Sequence, residues 1–476
     1  MEKTISAAVL NSFPTADMAA ADALLQEKLS AGDKKLVVLD DDPTGVQTVH
    51  DVSVYTDWSY ESVLAGFRED RRLFFILTNS RSFTPEQTER AHREIAAAAA
   101  RASLETGRDY ILVSRGDSTL RGHYPLETEV LRGETERALG CAVDGEIICP
   151  FFEEGGRFTL GNVHYVRYGD ELVPAAQTEF ARDATFGYEH SDLPGYIEEK
   201  TGGRFRAADT LCISVEELRS MDVDAVADRL CTVSNFGKIV VNAVSYADAK
   251  LAAAAIWEAA ARGHRFILRT AASLVKELGG VPSRPALTRA ELISGGTPNG
   301  GVVVIGSHTA KTTRQLAAMA ALPGVECVEF NSDLVLEEGG LEAETRRVTA
   351  ELERIIRSGR TAAAYTKRAV LTLEGDTKES ALLRSVRISE AVQSLVAGLG
   401  VTPAFVIAKG GITSSDVGTK ALRVRRAEVM GQLLPGVPVW RTGPESRFPG
   451  TPYVIFPGNV GEDSSLREAV EILTGA

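Results

Sequence analysis

Residues 36–56 read LVVLDDDPTGVQTVHDVSVYT. The apolar run Leu36–Leu39 stops at three consecutive carboxylates, Asp40, Asp41 and Asp42, and the chain then turns through Pro43, Thr44 and Gly45. A short continuous apolar run, unlike an alternating one, predicts a strand covered on both faces. Acidic residues at the C-terminal end of such a strand stand where open α/β sheets bind ligands. A solvated turn with an aspartate cap is the plainer reading of the same residues.

Runs of this kind recur along the chain: KLVVLD, LFFILT, YILVSR, EIICPF, KIVVNA and RFILRT, then GVVVIG, CVEF, AVLTLE, AFVIAK and YVIFPG. Helix-like stretches separate them, so β-α units in mostly parallel sheets are expected. The alanine-rich stretches EIAAAAARASLE and AKLAAAAIWEAAARG fit packed helices, because alanine has the best helix propensity. A chain of 476 residues exceeds a single core. The segment GGVPSRPALTRAELISGGTPNGG, residues 279–301, has the composition of a connector with one helical turn inside it. The expected architecture is two three-layer α/β domains, residues 1–285 and 286–476, with mostly parallel sheets.

Apolar residues make up 44% and charged residues 25%, as in folded globular proteins. Against 52 Lys and Arg stand 65 Asp and Glu, a formal charge of -13 that disfavours nucleic acid or an anionic membrane as partner. A small anion must then be held by a local cluster of Arg and backbone NH groups. Cys141, Cys149, Cys212, Cys231 and Cys327 form no C-x-x-C pair, which speaks against a zinc site or a disulfide framework and fits a reducing compartment. The first residues lack the apolar core of a signal peptide, and no apolar run approaches the roughly 20 residues that span a bilayer. A cytoplasmic setting is the expectation.

Working outward from Asp40, a second strand runs into Arg115, Asp117, Ser118, Thr119, Arg121, Gly122 and His123 in YILVSRGDSTLRGHYPLE. Two arginines, an aspartate and two hydroxyls so close together can clamp a carboxylate and recognise sugar hydroxyls; a surface turn with ion pairs is the bland alternative. LTNSRSFTPEQ places Ser80 and Arg81 at another strand end, and CPFFEEGGRFTLGNVHYV carries Gly156, Arg157, Thr159, Gly161 and His164. Each repeats one pattern, strand end followed by Arg and hydroxyl, as if several loops converge on one anion. His164 is as consistent with a structural hydrogen bond as with a ligand contact, and His50, His92, His190 and His264 are read as structural or surface.

In the second half GVVVIGSHTAKTTRQLAAMAAL predicts a strand, a turn at Gly306 and Ser307, and a helix from about Thr309, where backbone NH groups favour phosphate. Lys311 and Thr312 make this a near miss of a Walker A loop that lacks the glycine before the lysine. AFVIAKGGITSSDVGTKAL is a second strand-to-helix junction, with Gly410, Gly411, Ile412, Thr413, Ser414 and Ser415, and PYVIFPGNVGED a third, with Gly458 and Gly461. Three glycine turns at three strand ends favour a nucleotide crevice over ordinary structural turns. No cluster of metal-ligating side chains is evident.

A rival pattern overlies the opening segment. Asp40, Asp42 and Thr44 reproduce the D-x-D-x-T of phosphatases of the haloacid dehalogenase type, whose first Asp is the nucleophile. The later lysine and acidic pair that such an enzyme needs for magnesium are not found in order.

Taken in order, DDDPTG, NSR, GDSTLRG, GGRFTLGNVHYV, GSHTAKTTRQ, KGGITSSDVGTKAL, LLPGVPVW and FPGNVGED resemble the four-carbon acid sugar kinase family over nearly the whole chain. The resemblance implies an N-terminal sugar-binding and a C-terminal nucleotide-binding domain, and ATP-dependent phosphorylation of the terminal hydroxyl of a tetronate or 3-oxo-tetronate. It places Asp41 or Asp42, Arg81, Asp117, Ser118 and Arg121 against the sugar acid, and Ser307, Gly410 to Thr413 and Gly458 against ATP. Ile412 and Phe456-Pro457 depart from the family pattern. In this reading Asp117 or Asp42 orients and deprotonates the hydroxyl, Arg115, Arg121 and Arg157 meet carboxylate or phosphate charge, and Mg2+ bridges ATP. The expected partners are a small sugar acid and ATP, with a homodimer left open. A sensor that binds a sugar acid without chemistry is the third alternative.

Overall fold

The computed structural model describes residues 2–293, 297–369, 371–373, 375–458 and 460–475. The chain divides into two compact units: the segment up to Gly45 with Asp57–Ser283, and Val46–Thr56 with the chain from Arg284 onward. A single cut after residue 285 leaves Val46–Thr56 with the first part. Part of the expected connector, Ser294 to Gly296, lies outside the described residues; its predicted helical turn is Arg289–Leu292. Strands are numbered β1 to β19 along the chain.

The core of the first unit is a sheet in the order β10 (Leu211–Ile213), β11 (Gly237–Val241), β6 (Gly145–Cys149), β12 (Phe266–Thr270), β5 (Tyr110–Arg115), β2 (Lys35–Asp40), β4 (Leu73–Leu77). Every pairing in it is parallel. Every residue of β2, β4, β5, β6 and β12 is buried, the signature of strands covered on both faces. The alanine-rich helices Pro85–Thr106 and Tyr246–Ala261 bury Ala96, Ala99 and Ala100, and Ala252 to Ala255, respectively. Because all seven strands run the same way, their C-terminal ends share one edge.

A smaller antiparallel sheet, β1 (Ile5–Ser6), β9 (Glu171–Pro174), β8 (Val163–Tyr168) and β7 (Arg157–Leu160), completes this unit. The expectation that Arg157 follows a strand end is corrected here: it begins β7. Gly161 and Asn162, with φ of +55° and +67°, form the two-residue turn between β7 and β8. Positive φ at both positions matches the right-handed twist of a hairpin.

The second unit holds β3 (Val52–Tyr55), β17 (Arg426–Leu434), β18 (Val437–Thr442), β19 (Pro452–Phe456), β16 (Val406–Lys409), β13 (Val302–Ile305), β15 (Thr361–Thr366) and β14 (Val325–Phe330) in that order. From β19 to β14 the pairing is parallel; β3, β17 and β18 add an antiparallel border. One expected strand is displaced. AVLTLE, of which Val370 and Glu374 lie outside the described residues, forms no strand at Leu371 to Leu373, and TAAAYT forms β15 instead. Ala362, Ala363 and Ala364 are buried in β15, which pairs with β13 on one side and β14 on the other. Among the described residues no helix is long and apolar enough to cross a membrane.

Candidate functional sites

The C-terminal edge of the first sheet gathers the acidic and basic residues that the sequence singles out. Parallel register sets Asp40 opposite Arg115. Arg115 Nη1 donates to Asp40 Oδ1 at 3.0 Å and to Asp41 Oδ1 at 3.4 Å. From the end of β4, Arg81 grips Asp41 with both arms, Nη2 to Oδ1 at 2.9 Å and Nε to Oδ2 at 3.2 Å, and lies 3.5 Å from Asp42 Oδ2. The Thr44 amide donates to Asp42 Oδ1 at 2.8 Å. Gly45 closes the turn so tightly that a Cβ there would lie 2.0 Å from Asp40 Oδ1.

Burial pushes Asp40 up to about 7; Arg115 acts against this, and Asp41 and Asp42 add to it. Asp42 is partly buried, which opposes its charge, yet Arg81 and the Thr44 hydrogen bonds hold its carboxyl below the usual range. After β5, Asp117 accepts from Arg121 Nε at 2.7 Å and from the Thr119 hydroxyl, both on Oδ2. Burial opposes its charge, but Arg81 and Arg121 outweigh it and keep Asp117 well below the carboxylate range. Its Oδ1 accepts none of the hydrogen bonds described.

Arg157 differs from its neighbours. Its Nη1 donates to the Gly155 carbonyl, its Nε is buried without a partner, and it makes no ion pair among the described residues. The Phe180 ring carries both Arg121 and Arg157, at 5.1 and 5.5 Å from its centroid. Desolvation lowers the Arg157 pKa, and Asp117 is the carboxylate whose field offsets this most. Two expected ligand contacts turn inward instead. Ser80 is 1% exposed and donates to Glu127 Oε1 at 2.9 Å. His164 is fully buried, accepts or donates at Nδ1 with Thr159 Oγ1 at 2.9 Å and meets the Ser118 carbonyl through Nε2 at 2.7 Å. Burial lowers His164 to about 4, so the neutral ring donates from Nε2 and holds the Ser118 backbone in place.

In the second unit the loops after β13, β15, β16 and β19 meet at the C-terminal edge of the parallel strands. Thr309 caps the helix Ala310–Ala320, and the Thr312 hydroxyl lies 3.2 Å from Ser307 Oγ. Gly306 and Gly410 are demanded by close approach: a Cβ at Gly306 would lie 2.4 Å from Thr413 Oγ1, and Gly410 has φ +117°. Gly411 opens the short helix Gly411–Asp416, and Ile412 is 70% exposed on it. Gly458 lies near Ser307, since a Cβ on it would meet Ser307 Oγ at 3.9 Å. Gly461, with φ +81°, offers its carbonyl to Lys311 Nζ at 2.9 Å. This cradle of glycine backbone, hydroxyls and a helix N-terminus fits a nucleotide's phosphates.

Two cations here escaped the sequence reading. Arg368, just after the unexpected strand β15, donates from Nη2 to the Ser307 carbonyl at 2.5 Å, and its buried Nη1 has no hydrogen-bond partner among the described residues. Lys409 ends β16 fully buried, donating to the Pro457 carbonyl at 2.6 Å with the Phe456 ring 4.3 Å away. Burial, aided by Lys311, brings its pKa down to about 7. A lysine closing an apolar strand was the available signal for Lys409; Arg368 gave none once its strand was misplaced.

Two α/β units, one with paired carboxylates and arginines at its sheet edge and the other with glycine turns, hydroxyls and a helix N-terminus, have the makings of two small-ligand sites. Comparison with known families also divides the chain into two domains. Residues 36–278 match the sugar-binding N-terminal domain and residues 302–466 the nucleotide-binding C-terminal domain. The chain belongs to the four-carbon acid sugar kinase family that combines these two domains. No curated protein matches the chain. A Salmonella typhimurium LT2 crystal structure, of a protein named as a candidate tRNA synthase, matches with TM-score 0.65 at 17% identity, covering 92% of this chain and 99% of that one. A Haemophilus influenzae protein of the DUF1537 family matches with TM-score 0.59 at 17% identity, covering 92% and 100%. These likenesses show the fold.

Proposed function

We propose that the protein transfers the terminal phosphate of ATP to the terminal hydroxyl of a four-carbon sugar acid, a tetronate or its 3-oxo form. The observation that carries this reading is the asymmetry around Asp117: its Oδ2 is tied to Thr119 and Arg121 while, among the described residues, Oδ1 accepts no hydrogen bond, and Arg157 stands within its field with no ion pair among them. Asp117 Oδ1 is an open acceptor for a substrate hydroxyl, and Arg157 is a cation free to take a carboxylate. Arg81 and Arg115 are already committed to Asp40, Asp41 and Asp42. Asp42 has both oxygens engaged, which leaves Asp117 the better placed of the two expected bases.

In the proposed step the substrate oxygen forms a bond to the γ-phosphorus and the bond to the β-phosphate oxygen breaks. ADP leaves, and the hydroxyl proton passes to Asp117 and on to water. A carboxylate held strongly ionised suits this chemistry, because phosphoryl transfer asks the protein for orientation and charge compensation more than for a strong base. Ser307, Gly410 to Thr413, Gly458, Lys311 and Arg368 would hold the nucleotide phosphates. Magnesium bound with ATP would neutralise charge on those phosphates. The haloacid dehalogenase reading is disfavoured. Its nucleophile, Asp40, is 2% exposed beneath Gly45 and bound to Arg115.

The test is magnesium- and ATP-dependent ADP release with a panel of four-carbon sugar acids and their 3-oxo forms, the product phosphate being located by NMR. Turnover should place phosphate on the terminal oxygen. Asp117→Asn should lower kcat at least about 100-fold while ATP binding is kept; undiminished turnover would remove Asp117 from the step.

A further inference from the structure

Outside the aspartate cluster, a buried ion pair joins the two loops that carry it. Arg269 on β12 and Glu127 at the start of the helix Leu126–Leu139 are 8% and 1% exposed and bonded to each other. Arg269 Nη1 also donates to Ser114 Oγ at 2.8 Å, and Nη2 reaches the Arg121 carbonyl at 3.4 Å. Glu127 in turn accepts the Ser80 hydroxyl at 2.9 Å.

The guanidinium occupies space that two glycines leave for it. A Cβ on Gly116 would lie 2.4 Å from Arg269 Cζ, and one on Gly122 would lie 2.6 Å from Nη2. The Gly116 amide is also bonded to the Thr270 carbonyl at 2.9 Å. The loop bearing Asp117, Thr119 and Arg121 therefore wraps Arg269, while the turn bearing Arg81 hangs from Glu127 through Ser80. Burying two charges carries a desolvation penalty that apolar side chains would avoid, so bulk stability is a weak reason for the pair. Its position at the join of two loops supplies a better one.

We infer that Arg269 and Glu127 are positioning residues that fix Arg81 relative to Asp117, and so set the acceptor end of the sugar-acid site from behind. The kinetic consequence rests on the sugar-acid reading; the structural tie does not. Arg269→Lys keeps a cation against Glu127 but loses the fork that reaches Ser114 and the Arg121 carbonyl. Ser80→Ala cuts only the link from Glu127 to the Arg81 turn.

The experiment is amide hydrogen exchange on the ligand-free full chain, comparing segments 78–83 and 114–122 with strand β11 as internal reference, followed by steady-state kinetics with threonate as probe. In Arg269→Lys, exchange should quicken about tenfold in both loops and not in β11. In Ser80→Ala it should quicken in 78–83 alone. The KM for threonate should rise about tenfold or kcat fall comparably, with the KM for ATP unchanged. Exchange unchanged in both loops would overturn the assignment. So would a variant that loses folded protein while the remainder keeps both KM values and kcat. Loosened loops in a protein whose wild type phosphorylates no tetronate would uphold the tie and sink the substrate reading.

Discussion

Asp40 ends β2 with 2% exposure, and at its carboxyl burial and ion pairing oppose each other directly. Burial wins, moving its pKa from 3.8 to about 7. An acid whose folded pKa is raised keeps its proton in the folded chain at pH values where the unfolded chain has released it. The contribution of Asp40 to stability therefore falls as pH rises from about 4 to about 7 and is flat above that, over a span worth on the order of 4 kcal/mol. Asp40→Asn removes this titration, so the melting temperature of the variant minus that of the wild type should climb by several degrees between pH 5 and pH 8. A difference that stays flat would mean that Asp40 ionises normally. Asp117, pushed the other way by Arg81 and Arg121, shows how one sheet edge holds carboxylates in opposite states. The sequence placed all these residues at strand ends, but which arginine meets which aspartate depends on parallel register and on the Arg81 turn, neither of which it encodes locally.

The strand-to-helix junctions are where local sequence said most. DDDPTG, GDSTLRG, GSHT and KGG each close a buried strand, as their apolar runs predict, and each brings polar groups to the shared edge. Legibility failed where composition and packing disagree. TAAAYT looks helical because alanine is the best helix former, but it pairs with β13 on one side and β14 on the other, so tertiary context overrides propensity. Arg157 was legible as a residue and not as a hairpin residue, since its turn pairs Gly161 with Asn162 in the order opposite to the commonest hairpin signal. Gly410 is the sharpest junction, with φ +117° and ψ 147°, a conformation essentially reserved for glycine. Gly410→Ala should destabilise the second unit by about 1–3 kcal/mol and weaken ATP binding at least tenfold without changing sugar-acid binding, as calorimetric titration of each ligand would show. Equal losses for both ligands would place the effect elsewhere.

At the scale of the whole molecule the chain passes from one unit to the other at Gly45, returns at Thr56, and passes again at Ser283. Val52–Tyr55 is the neighbour of β17 on the side away from β18. A fragment of residues 284–476 should therefore expose the backbone of β17 as an unpaired edge and self-associate. Addition of a peptide of residues 46–56 should restore a monodisperse species by light scattering; a fragment already monodisperse alone would show that the border strand is dispensable. The same threading bears on heredity. A gene segment cut once cannot carry the nucleotide-binding half into another protein, because a stretch of it is encoded ahead of most of the sugar-binding half. A single cut after residue 283 would leave the border strand of the nucleotide-binding half with the sugar-binding half, so the two halves are inherited most readily together.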